Sequence, residues 1–117
     1  MPPRNRRLRI EDMLEAVEKI RRYTTGMTFE SFRDDDRTVD AVIRNFEVIG
    51  EAARHLDDEV AGQAPDVPWA EIRGMRNVVM HEYFGVDLTT VWKTIADDLV
   101  PLRAALVDLL SRLEPDA

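Results

Sequence analysis

The helical pattern of this chain is clearest in VDAVIRNFEVIGEAARHL, residues 39–56. Apolar side chains recur there at alternating intervals of three and four residues, at Val39, Val42, Phe46, Ile49, Ala53 and Leu56. This spacing places them on one face of a helix, as in the packing of antiparallel bundles. The sequence therefore predicts a long amphipathic helix with one face in the core.

Helical spacing continues on both sides of this segment, and no useful stretch alternates as a strand does. Upstream, a stripe from Ile10 to Thr24 ends before Gly26, which is suited to a helix C-terminus, and Thr28 is suited to cap a short helix. Downstream, we expect a loop over 57–68, a fourth helix opened at Pro68 and a fifth helix capped by Asp87. The apolar residues of 88–113 keep one phase, which predicts a single helix kinked at Pro101. The predicted fold is all-α, a compact bundle of about five helices.

Composition excludes several classes of protein. The 117 residues include no cysteine, which removes disulfides, iron–sulfur clusters and thiolate zinc sites and suits a reducing cytoplasm. No run of about 18 apolar residues occurs, so we expect neither a membrane span nor a secretory signal peptide. Glycine-rich phosphate loops are absent as well. We therefore expect one domain without a cofactor, in the cytoplasm.

Charge is distributed unevenly along the chain. Residues 1–9 (MPPRNRRLR) carry four arginines and no acid, whereas the rest carries 12 basic and 23 acidic residues. Such a short basic segment without apolar anchors predicts a disordered arm over 1–9, followed by a single helical domain over 10–117. The acidic body argues against a broad nucleic-acid surface but leaves room for a local phosphate site.

Candidate metal sites are weak. The acidic run Asp34–Asp36 is better placed to favour a helix N-terminus than to hold a metal. His55 follows Glu47 and Glu51 at four-residue intervals, a pattern that fits either three ligands or, more simply, a ladder of ion pairs. In HEYFG, Gly85 stands where the second histidine of a zinc-protease motif belongs. We therefore predict no metal.

The fourth predicted helix has an unusual stripe. Arg76 occupies a core-phase position among apolar residues, and a guanidinium there needs a carboxylate or phosphate partner. Gly74 and Gly85 flank His81 on a second stripe and leave room for a ligand or another backbone. At about 100° per residue, Arg76 and His81 lie roughly 140° apart around a straight helix. Helix distortion, a wrapped arginine or a site shared by two chains would bring them together.

The segment RNVVMHEY, residues 76–83, matches the R-x4-H-x-Y motif of the HEPN superfamily. Together with RNFEVIGEAARHL at 44–56 and PWAEIRGMRNVVMHEYFGVD at 68–87, it resembles the HepT-like branch over residues 8–113. The resemblance implies a helical bundle that forms a homodimer, with the motifs of both chains facing a cleft at the interface. It also allows the dimer to be part of a larger hetero-oligomer. It implies a metal-independent endoribonuclease that acts as the toxin of a type VII-like toxin–antitoxin system. The acidic body departs from what an RNA-binding surface would need.

The residue types suit this chemistry. Histidine titrates near neutrality and can move a proton, and arginine offers a bidentate fork to phosphate oxygens. We therefore assign Arg76 and His81 as catalytic, with Asn77 and Glu51 in support. A two-fold dimer would place two of each catalytic residue around one cleft, without distortion of the helix.

The resemblance also implies a partner, a minimal nucleotidyltransferase antitoxin that transfers AMP to the motif tyrosine, Tyr83. Tyr83 shares the helix face of Arg76, although a half-buried core tyrosine would have the same spacing. The alternative function is a non-catalytic helical dimer that binds nucleotide or partner, as the regulatory subunit of a nucleotidyltransferase. The sequence leaves both open, because binding and cleaving a phosphate use the same arginine.

Overall fold

In the computed structural model, the residues described are 3–74 and 87–113. Their helices, in chain order, are α1 (Pro3–Thr24), α2 (Phe29–Arg33), α3 (Asp36–Arg54), α4 (Asp58–Ala61), α5 (69–74), α6 (Leu88–Asp97) and α7 (Leu99–Arg112). No strand occurs within these two ranges, which confirms the all-α prediction. No helix among them is both long enough and apolar enough to cross a membrane.

Helix α1 follows the predicted stripe and ends as predicted. Ile10, Met13, Val17 and Ile20 are fully buried, and Gly26 adopts a φ of 77° just after the helix ends. This left-handed conformation costs glycine little because it has no Cβ.

The start of α1 differs from the predicted disordered arm over 1–9, because the helix already begins at Pro3. Arg6 forms an ion pair with Asp57 and approaches Glu59 at 3.3 Å, and Arg7 Nη1 lies 3.5 Å from the carbonyl oxygen of Leu110. Arg6 therefore contacts acidic residues 51 and 53 positions further along the chain, which no short-range pattern in the sequence indicates.

Thr28 caps α2 as predicted, and Asp35, from the acidic run expected at a helix N-terminus, caps α3. Thr28 and Ser31 form a reciprocal capping box, and the carboxylate of Asp35 accepts the Thr38 amide at 3.1 Å. The Thr38 amide lowers the pKa of Asp35, since a hydrogen bond to the carboxylate favours its charged form. Asp36 occupies the first turn of α3, as the acidic run predicted.

The core forms around α3, which packs extensively against α1. All the predicted stripe residues from Val42 to Leu56 are buried, and Val39 packs against them partly exposed. The one polar side chain on this buried side, Asn45, donates to the carbonyl oxygen of Ala41 at 2.8 Å. The stripe is therefore confirmed as the core face of the bundle.

Two boundaries differ from the predictions. Within the predicted loop 57–68, Asp57 caps the short helix α4, in which Val60 and Ala61 are buried. The predicted kinked helix over 88–113 is two helices, with the break at Asp98. Pro101 has no N–H to donate to the carbonyl of Asp97, and its ring crowds that carbonyl, so the helix ends one turn before the proline. The apolar phase survives the break, which is why the periodicity suggested one helix.

Candidate functional site

Most of the predicted site lies outside the described residues. This is true of Arg76, Asn77, His81 and Tyr83, which therefore stay predictions, whereas Glu51 lies on α3 and is described. The structure does describe the helix that leads into the motif segment and the residue that follows it. These two flanking segments are the described parts of the fold that lie next to the motif in the sequence.

Upstream of the motif, α5 is anchored by its own first turn. Trp69 and Ile72 are buried, and the indole Nε1–H of Trp69 donates to the carbonyl oxygen of Ala64 at 3.0 Å. Pro68 lies immediately before the helix, and its carbonyl oxygen accepts the Ile72 amide at 3.0 Å. The predicted role of Pro68 as the opening residue of this helix is confirmed.

Arg73, also on α5, contacts the end of α3. Its Nε–H donates to the carbonyl oxygen of Ala53 and its Nη2–H to that of Leu56, both at 3.1 Å, while Nη1 lies 3.7 Å from Asp58 Oδ1. The sequence reasoning missed this residue. The only feature of the sequence that could have indicated a role for Arg73 was its position three residues before Arg76. Its partners are backbone carbonyls, which every residue has, so no residue type marks them.

Downstream of the motif, Asp87 caps α6 as predicted. Its carboxylate accepts the amides of Thr89 and Thr90 at 3.0 and 3.4 Å and the Thr90 hydroxyl at 2.9 Å. The Thr90 hydroxyl is the largest cause that lowers the pKa of Asp87, followed by the backbone amide of Thr90. An ionised Asp87 therefore holds the start of α6 at neutral pH.

Glu51 takes part in a helical ion-pair ladder. Its Oε1 lies 3.0 Å from Nε2 of His55, and its Oε2 lies 3.9 Å from Arg54 Nη1. Glu47 pairs with Arg44 at 3.9 Å. Glu47, Glu51 and His55 therefore do not converge as three ligands of one metal ion. Among the described residues, no group of three or more His, Cys, Asp or Glu side chains could hold a metal ion.

Glu51 also lines a groove of about 370 Å³ between α1 and α3. The same groove contains two arginines, Arg9 and Arg44, and two further acids, Asp12 and Glu47. Positive and negative side chains are therefore mixed around Glu51, and the groove does not form a basic track for a nucleic-acid backbone.

A larger groove of about 460 Å³ opens between α3, α5 and α7 and is mostly apolar, with Phe46 and Leu99 among its lining residues. Asp66, Glu71 and Asp98 also line it, and none of the three forms an ion pair with another described residue. Carboxylates repel phosphate, so these three side chains do not favour an RNA backbone in the described part of the groove.

Comparison with known proteins gives the family. The model of the family described as "Ribonuclease HepT-like" matches residues 13–109, a range that contains every candidate site residue. A Thermococcus cleftensis protein named as a probable ribonuclease HepT is 40% identical over 94 residues, which cover 80% of this chain and 86% of the relative. A Methanocaldococcus jannaschii protein, named as a candidate RNase, is 32% identical over 97% of this chain and 94% of its own length.

A third relative, from Caldanaerobacter subterraneus and also named as a candidate RNase, is 35% identical over 88% of this chain and 92% of its own length. No solved structure matches the chain. The family model covers most of the sequence, and the relatives align over most of both chains. The chain therefore belongs to the HepT-like ribonuclease family of the HEPN superfamily.

Proposed function

We propose that this chain is a metal-independent endoribonuclease in which Arg76 and His81 act on the RNA phosphate. The observation that carries the proposal is the R-x4-H-x-Y motif of residues 76–83, which lies within the range matched by the ribonuclease family. The proposed site needs no metal and no organic cofactor.

The proposed reaction is an attack by the neighbouring 2′-hydroxyl of RNA. A histidine takes the hydroxyl proton as the oxygen bonds to phosphorus, the bond to the 5′-oxygen breaks, and that oxygen takes a proton from water or from a second, protonated histidine in the cleft. The products are a 2′,3′-cyclic phosphate and a 5′-hydroxyl. The Arg76 guanidinium donates paired hydrogen bonds to the charged phosphate oxygens, and it keeps its proton throughout.

The described flanks support this assignment. Arg73 and the first turn of α5 hold the chain before the motif, and Asp87 holds the chain after it. Glu51 keeps its proposed supporting role on α3, and Asn77, one turn before His81, is proposed to orient the histidine ring.

The proposed active form is a homodimer. Helix α6 starts five residues after Tyr83, and its apolar residues pack against the core but stay partly exposed, at Leu88, Val91, Trp92 and Ile95. A helix with an incompletely covered apolar face close to the motif supports an interface at this place. Such a dimer would supply two Arg76 and two His81 side chains to one cleft.

The two histidines of the chain provide a matched test of catalysis. Purified protein is incubated with an RNA oligonucleotide in EDTA, beside His81→Ala, Arg76→Ala and His55→Ala. Loss of a general acid–base lowers the rate by about 10²–10⁴-fold, so we expect that loss for His81→Ala. For His55→Ala, which removes only one contact of the supporting Glu51, we expect at most a loss of a few-fold. Circular dichroism verifies folding. Loss of wild-type cleavage in EDTA, or full activity of His81→Ala, would refute the mechanism.

The composite cleft is tested by mixing two inactive chains. Refolded mixtures of Arg76→Ala with His81→Ala contain heterodimers that retain one arginine and one histidine on different chains. If the site is shared, the mixture regains part of the wild-type activity. Light scattering at micromolar concentration should give the dimer mass, and a charge on α6, as in Val91→Lys, should shift it toward the monomer. A wild-type monomer would contradict the shared site.

We further propose that the chain is the toxin of a cytoplasmic toxin–antitoxin pair and that its partner is a minimal nucleotidyltransferase. In the proposed silencing step, the Tyr83 oxygen attacks the α-phosphate of ATP, pyrophosphate leaves, and the phenolic proton passes to a base. The bound AMP would engage Arg76 and fill the cleft, so that RNA could no longer bind.

Tyr23 provides the internal control for this modification. It lies near the end of α1, is exposed, and has the Arg22 guanidinium 5.5 Å from its ring centre. Mass spectrometry after co-expression with the partner should find AMP on Tyr83 and none on Tyr23, although Tyr23 is accessible. An unmodified Tyr83 in a neutralised complex would indicate inhibition by binding alone.

The second candidate function is a non-catalytic dimer that regulates a nucleotidyltransferase. The net charge of −7 and the carboxylates along the apolar groove favour it, because such a surface suits a protein partner better than RNA. Nucleotide binding without RNA cleavage, in protein that is folded and dimeric, would select this function.

A further inference from the structure

Arg73 joins the helix that enters the motif to the end of α3. Its Nε–H and Nη2–H each reach a backbone carbonyl oxygen at 3.1 Å, that of Ala53 in the last turn of α3 and that of Leu56 just beyond it. Its side chain is 29% exposed, and the third nitrogen lies 3.7 Å from Asp58, at the start of α4. One guanidinium therefore connects three elements of the fold.

The two carbonyls suit a charged donor for different reasons. The Ala53 carbonyl lies in the last turn of α3, at the negative end of the helix dipole, and also accepts the Leu56 amide at 3.2 Å, whereas the Leu56 carbonyl lies just beyond the helix. Ala53 and Leu56 are 0% and 3% exposed, so their surroundings offer water little access. A guanidinium satisfies both carbonyls and keeps its charge at every pH at which the protein is folded.

The geometry of the fork restricts the motion of α5. Two hydrogen bonds from one planar group fix the rotation of the helix as well as its distance from α3, which a single bond from a flexible ammonium does not. Trp69 and Ile72 hold the buried side of α5, and Arg73 holds the side that meets α3. Rotation and sliding of α5 are therefore both opposed.

Arg73 lies three residues before Arg76, one helical turn away if the helix continues through the motif as the sequence predicts. On the other side of the contact, Ala53 follows Glu51 by two residues on α3. We propose that Arg73 is a positioning residue of the ribonuclease: it fixes α5 against α3 and thereby positions the motif that follows α5, so that the Arg76 guanidinium is placed for phosphate binding. This inference rests on the proposed function of Arg76 and His81.

Arg73 is assigned to positioning and not to RNA binding because its donors already face protein acceptors. Two of its nitrogens donate to carbonyls, and the third is nearest a carboxylate. A phosphate ligand would have to replace these contacts. The two roles also differ in their dependence on salt, since each phosphate contact on a single strand contributes about 0.7 to the slope of log affinity against log salt.

The test compares Arg73→Met and Arg73→Lys with a matched control, Arg112→Met. Arg112 also donates to a backbone carbonyl, that of Gln63 at 3.1 Å, but it lies at the end of α7. Displacement of catalytic groups by about 1 Å can lower rates about 100-fold, so we expect Arg73→Met to lower kcat about 10- to 100-fold, with KM within about threefold of wild type. Arg73→Lys keeps the charge on a single nitrogen without the planar fork, so its kcat should lie between those of Arg73→Met and wild type. Arg112→Met should stay within about twofold of wild type.

Circular dichroism and the salt dependence of RNA binding complete the experiment. The proposal is overturned if Arg73→Met cleaves like Arg112→Met, or if its salt slope falls by about 0.7, which would make Arg73 a phosphate ligand. If Arg73→Met does not fold, Arg73→Lys carries the test, and wild-type kcat in that variant overturns the proposal. His81→Ala is included throughout: if it is fully active, the proposed function itself fails, whereas an inactive His81→Ala beside an active Arg73→Met refutes only the positioning role.

Discussion

Gly74, the last described residue of α5, offers a sharp test of whether another chain or a ligand approaches this end of the helix. A Cβ at this position would meet no heavy atom within 4 Å, and among the described residues only Gly26 has a positive φ. Gly74→Ala therefore carries no steric or backbone cost that would offset the higher helix propensity of alanine. That propensity difference is about 0.8–1 kcal/mol in a helix interior, so we expect about 0.5–1 kcal/mol of added stability.

The expected change in melting temperature follows from the size of the chain. At about 2.1 cal/mol/K of unfolding entropy per residue, the 117 residues convert this gain into a rise in Tm of about 2–4 °C. Thermal unfolding is followed by circular dichroism at one fixed protein concentration, since Tm of an oligomer depends on concentration. A lower Tm for Gly74→Ala than for wild type would refute the reasoning.

Two other glycines provide matched controls. At Gly62, a Cβ would lie 3.0 Å from the carbonyl oxygen of Asp58, so that the gain in propensity is opposed by a close backbone contact. Gly26 has a φ of 77°, where alanine costs about 1–2 kcal/mol, so Gly26→Ala should lower Tm. We expect the highest Tm for Gly74→Ala, an intermediate Tm for Gly62→Ala and the lowest Tm for Gly26→Ala.

The same variant tests the sequence prediction that Gly74 leaves room for a ligand or a second chain. If another backbone approaches this point in the dimer, Gly74→Ala should weaken dimerisation or RNA cleavage while each chain stays folded. Unchanged dimerisation and cleavage, together with a raised Tm, would show that no partner needs the glycine.

Three further predictions concern stability. Leu106 is fully buried, so Leu106→Ala should lower the free energy of unfolding in urea by about 2–5 kcal/mol. The neighbouring residue, Val107, is 44% exposed, so Val107→Ala should change that free energy little, and equal losses would contradict the assigned core face. Because hydrogen bonds lower the pKa of Asp87, its stabilising effect is present above its unfolded pKa of about 3.9 and is lost as pH falls through the lower folded value. Asp87→Asn should therefore flatten acid unfolding measured between pH 5 and pH 2, and an unchanged profile would exclude this effect. Trp69→Phe removes the donor to Ala64 and should cost about 1 kcal/mol of unfolding free energy, which a urea titration indistinguishable from wild type would refute.

The candidate site could be predicted only as far as its motif allowed. Arg76, Asn77, His81 and Tyr83 were assigned from residue type, spacing and family resemblance, and they lie outside the described residues. Glu51 was assigned in the same way, and the structure places it in an ion-pair ladder with His55 beside a groove of mixed charge. Arg73 was not found, because hydrogen bonds to carbonyls depend on which backbone a side chain reaches.

The sequence by itself determined the local elements of the fold. The caps at Thr28 and Asp87 and the turn at Gly26 could be predicted because each depends on residues within one helical turn. The core face of α3 could be predicted for a related reason, since a period of 3.6 residues alone decides which side chains share a face.

Tertiary structure decided what connects these elements. The contact of Arg6 with Asp57 joins residues 51 positions apart, and that of Arg73 with Ala53 joins residues 20 apart. The break at Asp98 was also hidden, because two helices packed on one core can keep a common apolar phase across a gap. Periodicity reports which face of a helix is buried, whereas long-range contacts depend on how the helices are arranged in space, and only the folded chain specifies that arrangement.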